Sequence, residues 1–148
     1  TAVDPKRLNF FAYKKVDIFK PNLKEALEAL NIVGNNLSEG LLMEIHAALY
    51  NTLGHRASFI TLSENGVYYQ SDKESGWIPT HVRRIADVSG AGDTVIAVAS
   101  LVYAATKSFK LMAEIANIAG GMVCEEVGTV AIHNEKLLAE CKLLLKCN

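Results

Sequence analysis

The 148 residues carry fifteen basic against sixteen acidic side chains, a formal charge of −1, and half are hydrophobic, which fits one globular domain with a sizeable core. Near-neutrality argues against nucleic acid as a partner, because that binding rests on clustered Lys and Arg. The longest apolar run, Val95 to Ala105, falls short of the ~20 residues that span a bilayer, and no charged-then-apolar leader opens the chain, so the expected setting is cytoplasmic, away from membranes.

In chain order, Ala2-Val3-Asp4-Pro5 reads as a strand ending at a proline-marked turn. Asp17 to Asn22 is a short strand into a turn, with Asn22 as N-cap of a helix from Leu23 to about Ile32. Glu25, three residues after that cap, completes a capping box on sequence spacing alone. Ser38 starts a second helix over 39–53 with Leu42, Ile45, Ala48 and Leu49 inward and Gly54 as its stop, and its Met43, His46 and Tyr50 read as packing or surface groups. Ala57 to Leu62 is short and nearly continuously apolar, as in strands of a parallel sheet covered on both faces. Asn65-Gly66 is a hairpin signal leading into Val67 to Gln70. Asp72 to Gly76 is a polar turn, and Trp77 to Ile85 reads as one or two short antiparallel strands with Trp77 packed at the sheet edge.

The most informative stretch follows, Asp87-Val88-Ser89-Gly90-Ala91-Gly92-Asp93-Thr94. Two close glycines set a tight turn, and the small residues after them make Gly90 to Asp93 the first turn of a buried helix. Unpaired N–H groups and the helix dipole stabilise an anion there. A carboxylate in that position, Asp93, works against an anion site unless it takes a proton from a group attacking a phosphate. Two plainer readings stand beside this one: Gly-x-Gly is common punctuation between strand and helix, and Asp favours first turns on electrostatic grounds. No Gly-x-x-x-x-Gly-Lys-Ser/Thr occurs, which excludes a P-loop. Ser108 caps a further helix with Leu111, Met112, Ile115, Ile118 and Ala119 inward, on which Asn117 alone reads as solvent-facing. Asn134 caps a last helix to Lys146. Cys124, Cys141 and Cys147 read as reduced packing thiols, and the scattered His46, His55, His81 and His133 as surface or hydrogen-bonded residues with no zinc spacing.

Asp-x-x-Gly-Ala-Gly-Asp at the head of an alanine-rich helix resembles the C-terminal signature of the ribokinase-like (PfkB) carbohydrate kinases. Val98, where most of that family has a small residue, and the form Asp-Val-Ser-Gly-Ala-Gly-Asp-Thr-Val-Ile-Ala-Val are similar to the D-glycero-D-manno-heptose 7-phosphate kinases, including the kinase half of the bifunctional ADP-heptose synthases. Val3-Asp4-Pro5-Lys6 is similar to a segment of the same enzymes.

The resemblance implies a three-layer α/β/α ribokinase-like fold, of which residues 1–148 form the C-terminal part without the N-terminal half that holds the acceptor pocket and lid. It implies ATP- and Mg2+-dependent phosphoryl transfer to a sugar phosphate, heptose 7-phosphate to the 1,7-bisphosphate in ADP-heptose (lipopolysaccharide core) biosynthesis. The alternatives are ribose, fructose 6-phosphate or a nucleoside as acceptor, or a piece that binds nucleotide without turnover. Asp93 would be the general base, and the N–H groups around Gly90, Ala91 and Gly92 the anion hole. Asn22-Leu23-Lys24-Glu25 resembles the Asn-x-x-Glu motif, in which Asn22 and Glu25 place magnesium, through water, and the nucleotide phosphates. Ser63 to Gly66 resembles the nucleotide loop, with Ser63 in place of a glycine, and Asn117 lies in a segment that walls the adenine pocket. Asp87, with the loop Glu126 to Thr129, would serve a monovalent-cation site, with K+ as the candidate ion. Relatives dimerise through the lid, so a homodimer is expected of the full-length protein.

Overall fold

The computed structural model describes residues 1–33, 36–81 and 85–145. The chain forms two compact units, Thr1–Trp77 and Ile78–Asn148.

In the first unit, β1 (Ala2–Val3), β2 (Ile18–Phe19) and β3 (Ala57–Thr61) run parallel, in the registers Ala2 to Ile18 and Ile18 to Ala57. β4 (Val67–Ser71) turns back antiparallel to β3, Phe59 facing Tyr69, and β5 (Ser75–Ile78) follows, giving the order β1-β2-β3-β4-β5 among the described residues. The expected polar turn is therefore shorter, since its last two residues already belong to β5. No strand is assigned beyond Ile78 in the described part of 79–85, and residues 82–84 of that expected pair lie outside the described residues.

Two helices connect β2 to β3. α1 (Leu23–Leu30) is capped by Asn22 as expected but stops two residues early. Asn31 enters the left-handed region at φ 56°, and the N–H of Ile32 reaches Leu27 O at 3.0 Å, closing the helix as a six-to-one turn. α2 (Glu39–Leu53) is capped by Ser38 Oγ, which accepts from Leu41 N at 3.2 Å, and ends at Gly54 with φ 61°. Leu42, Ile45, Leu49 and Leu53 from α2 form one core with Phe10, Phe19, Ile60 and Tyr68. Phe10 meets Phe19 edge-on at 5.2 Å. At about 25 cal/mol per Å2 of apolar surface removed from water, this layer is the main stabiliser of the unit.

The second unit is helical. α3 (Ala91–Thr106) starts from Gly90, and α4 (Phe109–Cys124) from Ser108, whose Oγ accepts from Leu111 N at 3.1 Å. Val95, Val98, Ala99 and Tyr103 of α3 are buried, as are Met112, Ala116, Ile118 and Ala119 of α4. Tyr103 stacks on Phe109 with ring centres 4.4 Å apart. Gly120 permits close approach of the helices: a Cβ there would lie 2.6 Å from Val95 Cγ2. The expectation of a buried α3 holds on one side only, since Leu101 is 72% exposed. α5 (Asn134–Leu144) begins one residue earlier than expected, with His133 as N-cap, while Asn134 Oδ1 accepts from Glu135 N at 2.8 Å. Leu138 and Leu143 of α5 are exposed and Cys141 is buried. Cys124 and Cys141 are free thiols, as expected, and Lys146 and Cys147 lie outside the described residues.

Candidate active site

The carboxyl ends of parallel strands are where α/β folds place ligands, because successive turns there expose backbone polar groups. In the first unit these ends hold two of the expected segments, 22–25 and 63–66. Asn22 follows β2 and pairs with Thr61 in an isolated parallel bridge, which sets the 22–25 segment beside the chain entering the loop at 63–66. Asn22 Oδ1 accepts from Glu25 N and Glu25 Oε2 accepts from Asn22 N, both at 2.8 Å. The capping box is therefore present, and it does not exhaust either side chain. Asn22 keeps its amide donors and Glu25 its second carboxylate oxygen, a donor set that suits a hydrated magnesium ion and phosphate oxygens. Leu23 is half-buried, and Lys24 is exposed 3.9 Å from Glu28.

The loop after β3 is a short 3₁₀ turn, Ser63–Asn65. Ser63 sits at φ 54° and Gly66 at φ 88°, so the serine occupies a conformation in which glycine costs nothing. Trp77 is on β5, at the edge of the sheet as expected, and its indole Nε1–H donates to Asn65 O of this loop at 2.8 Å.

One group here escaped sequence reasoning. Lys20, at the end of β2, is only 3% exposed, and its Nζ lies 3.2 Å from Asp4 Oδ1 at the end of β1. Asp4 also receives Lys6 Nζ at 3.1 Å. The legible signal was a lysine directly before Pro-Asn at a strand end.

In the second unit, Gly90 precedes α3 at φ 78°, a left-handed conformation that glycine alone adopts freely. A Cβ on it would also stand 2.9 Å from Thr129 Cγ2. The N–H of Ala91 closes a turn onto Val88 O at 3.3 Å, and the helix ladder begins with Thr94 N to Gly90 O at 3.1 Å. Ala91 thus spends its N–H on this turn, and among the described residues the amides of Gly92 and Asp93 are the open donors of the helix start. Asp93 is the third helical residue and is exposed.

Asp87 is tied on both oxygens. Ser89 N and Ser89 Oγ donate to Oδ1 at 2.9 and 2.8 Å, and Gly128 N donates to Oδ2 at 3.1 Å. The bonds from Ser89 and then Gly128 hold its carboxyl below the usual carboxylate range. Asp87 thus ties the segment before α3 to the loop after α4, and Oδ2 retains one lone pair that could face a cation. Burial, then the Asp87 charge, pushes the Cys124 thiol up, away from reactivity. Asn117 departs from its solvent-facing reading: it is 8% exposed, and its Nδ2 donates to Pro79 O at 2.9 Å. Among the described residues no group of three or more His, Cys, Asp or Glu stands where it could grip a metal directly, and no helix is long and apolar enough to cross a membrane.

Of the two readings given for His46 and His55, surface or hydrogen-bonded, the structure bears out the second. Both are buried, they share Ser58, and His55 Nδ1 has no hydrogen-bond partner among the described residues.

Residues 10–136 match the model of the pfkB family carbohydrate kinases. The chain is 39% identical over 136 residues to the bifunctional protein HldE of Marinomonas sp. (strain MWYL1), covering 91% of this chain and 28% of that protein. The HldE of Desulfatibacillum aliphaticivorans is 36% identical, covering 93% and 28%. The chain thus spans under a third of the curated relatives it matches. Among solved structures, the phosphofructokinase-2 of Escherichia coli in complex with potassium superposes with a TM-score of 0.80 at 17% identity, over 91% of this chain and 43% of that one. The ribokinase of Thermotoga maritima gives 0.72 at 22% identity, over 85% and 42%. The fold is therefore ribokinase-like, and the chain belongs to the pfkB family of carbohydrate kinases.

Proposed function

We propose that the chain is part of an ATP- and Mg2+-dependent kinase that phosphorylates heptose 7-phosphate, and that Asp93 is its general base. The observation that carries the reading is the start of α3, an exposed carboxylate on the first turn next to the open amides of Gly92 and Asp93 itself. As the sugar hydroxyl oxygen bonds to the γ-phosphorus and the bridge to the β-phosphate breaks, Asp93 takes the hydroxyl proton. The helix-start donors carry the charge gathering on the moving phosphoryl group, a role worth ~3 kcal/mol per donor in comparable sites. Bound magnesium offsets phosphate charge. Asn22 and Glu25 orient its waters and the phosphates, Ser63 and Gly66 receive the nucleotide, and Asn117 fixes a helix wall of the adenine site.

Heptose as acceptor is supported by the HldE relatives at 35–39% identity. A phosphofructokinase-like or ribokinase-like acceptor is the second reading, favoured by the fold alone. K+ near Asp87 is supported by the remaining lone pair on Oδ2 and by the potassium complex of the Escherichia coli neighbour.

The test is ADP release by the full-length protein with heptose 7-phosphate, fructose 6-phosphate and ribose. Heptose 7-phosphate should give the highest kcat/KM, and Asp93→Asn should lower kcat at least 100-fold with ATP affinity retained. Wild-type turnover by Asp93→Asn would refute the base, and preference for another sugar the acceptor.

A further inference from the structure

Ser58 is fully buried between two histidines, with His46 Nδ1 at 2.8 Å and His55 Nε2 at 2.7 Å from its Oγ. A hydroxyl has one proton to donate, so Ser58 can donate to one ring at most and at least one ring must donate to it. The remaining nitrogen of His55, Nδ1, is buried without a partner among the described residues. A buried N–H with no acceptor is costly and rare, so this nitrogen carries the bare lone pair and the His55 proton sits on Nε2. His55 Nε2–H therefore donates to Ser58; the buried Ser58 proton needs an acceptor in turn, and His46 Nδ1 at 2.8 Å is the one within reach, which leaves the His46 proton on Nε2.

We propose that His55, Ser58 and His46 form a one-way, uncharged relay that latches α2 and the turn after it onto β3, and that acidification opens this latch.

An added proton has two bare nitrogens to choose from, and both break the arrangement. On His55 Nδ1 it makes a buried N–H that nothing accepts. On His46 Nδ1 it turns two donors toward Ser58 and strands the serine's own proton. Among the described residues no neighbouring group offers a compensating charge. On α2 the titratable neighbour is Tyr50, whose ring lies 5.7 Å from His46 and 6.0 Å from His55. On β2, Phe19 lies 5.6 Å from His55, Lys20 is engaged by Asp4, and Asp17 at the strand entrance is held by Arg56, 3.1 Å away. On β4, Gln70 opposite Ser58 has its Oε1 taken by Tyr68. Burial, then the charge of His46, lowers the His55 pKa to about 4, and burial lowers that of His46. Between that value and the unfolded 6.5 the unfolded chain binds the extra proton, so stability is complete above 6.5 and is lost as pH falls. One such site weakens the folding equilibrium about tenfold per pH unit across the window.

Two-dimensional multiple-bond 1H–15N spectra of this chain, labelled at histidine and titrated from pH 8 to 4.5, test the relay directly. At pH 7.5 both His46 and His55 should show the Nε2–H form with a bare Nδ1, and both should stay neutral at pH 6, where a free histidine is about three-quarters protonated. Thermal melts run in parallel should show wild-type Tm falling steeply below pH 6.5, and His55→Phe should flatten that fall. An Nδ1–H form of His55, or titration of either ring near 6.5 in the folded chain, would overturn the proposal even if His55→Phe failed to fold.

Discussion

The amide of Gly128 donates to Asp87 Oδ2 at 3.1 Å across 41 positions of sequence, so one carboxylate ties the approach to α3 to the exit from α4. In Asp87→Asn the side-chain oxygen can still serve Ser89, but the NH2 that replaces Oδ2 faces a donor. Exchange of the Gly128 amide with solvent deuterium should therefore speed up at least tenfold while Tm falls only slightly. Because the folded pKa of Asp87 is depressed, its stabilisation is present above the unfolded value of 3.8 and disappears as pH drops through the folded value. The Asn variant should lack that acid limb in a pH series of urea melts.

Gly90 and Gly120 should respond differently to relief of crowding. At Gly120 the obstacle is a side-chain methyl of Val95, so Gly120→Ala should cost about 1–3 kcal/mol and Val95→Ala should recover part of it. At Gly90 the obstacle is both Thr129 and a φ of 78°, so trimming Thr129 should leave Gly90→Ala about 1–2 kcal/mol less stable than wild type. Denaturant melts of the two double-mutant cycles decide this.

Capping and phosphate binding by Asn22 separate by substitution. Asn22→Ser keeps an oxygen for Glu25 N and should change stability by only a few tenths of a kcal/mol, whereas Asn22→Ala should cost about 1 kcal/mol. If Asn22 also touches phosphate, both variants should lose the thermal shift given by ATP with magnesium. An unchanged shift in Asn22→Ser would leave the residue as a cap.

Lys20 and Asp4 form a pair in which the lysine is the deeply buried member. Removing Asp4 strands that charge, so Asp4→Ala should destabilise by about 3–5 kcal/mol, while Lys20→Met should cost clearly less, since it removes the buried charge itself. Chemical denaturation of the two variants provides the comparison.

The elements were legible where a local rule decides them. Asn22, Ser38, Ser108 and Gly54 mark helix ends through bonds made within a few residues, and each does so in the structure. Of the apolar stretch at 57–62, residues 57–61 form a central strand, because both neighbours and both faces leave its first four residues no water. What escaped depends on contacts far apart in sequence. Asn117 is drawn inward by a carbonyl 38 positions away, and Ser58, the partner of His46, sits on another element where no local pattern names it. Lys20 needed Asp4 to be understood as an interior cation. In the candidate site the segments at 22–25, 63–66 and 87–94 were found by pattern, whereas the loss of the Ala91 amide to Val88 emerges only from turn geometry.

The indole of Trp77, bonded to Asn65 O and 36% exposed, is the single tryptophan of the chain. Its fluorescence is therefore a built-in optical gauge of the 63–66 loop, free of interference from any other indole. Excitation near the red edge of protein absorbance would report one residue, so rapid-mixing experiments can time movement of that loop in the native sequence without an attached dye.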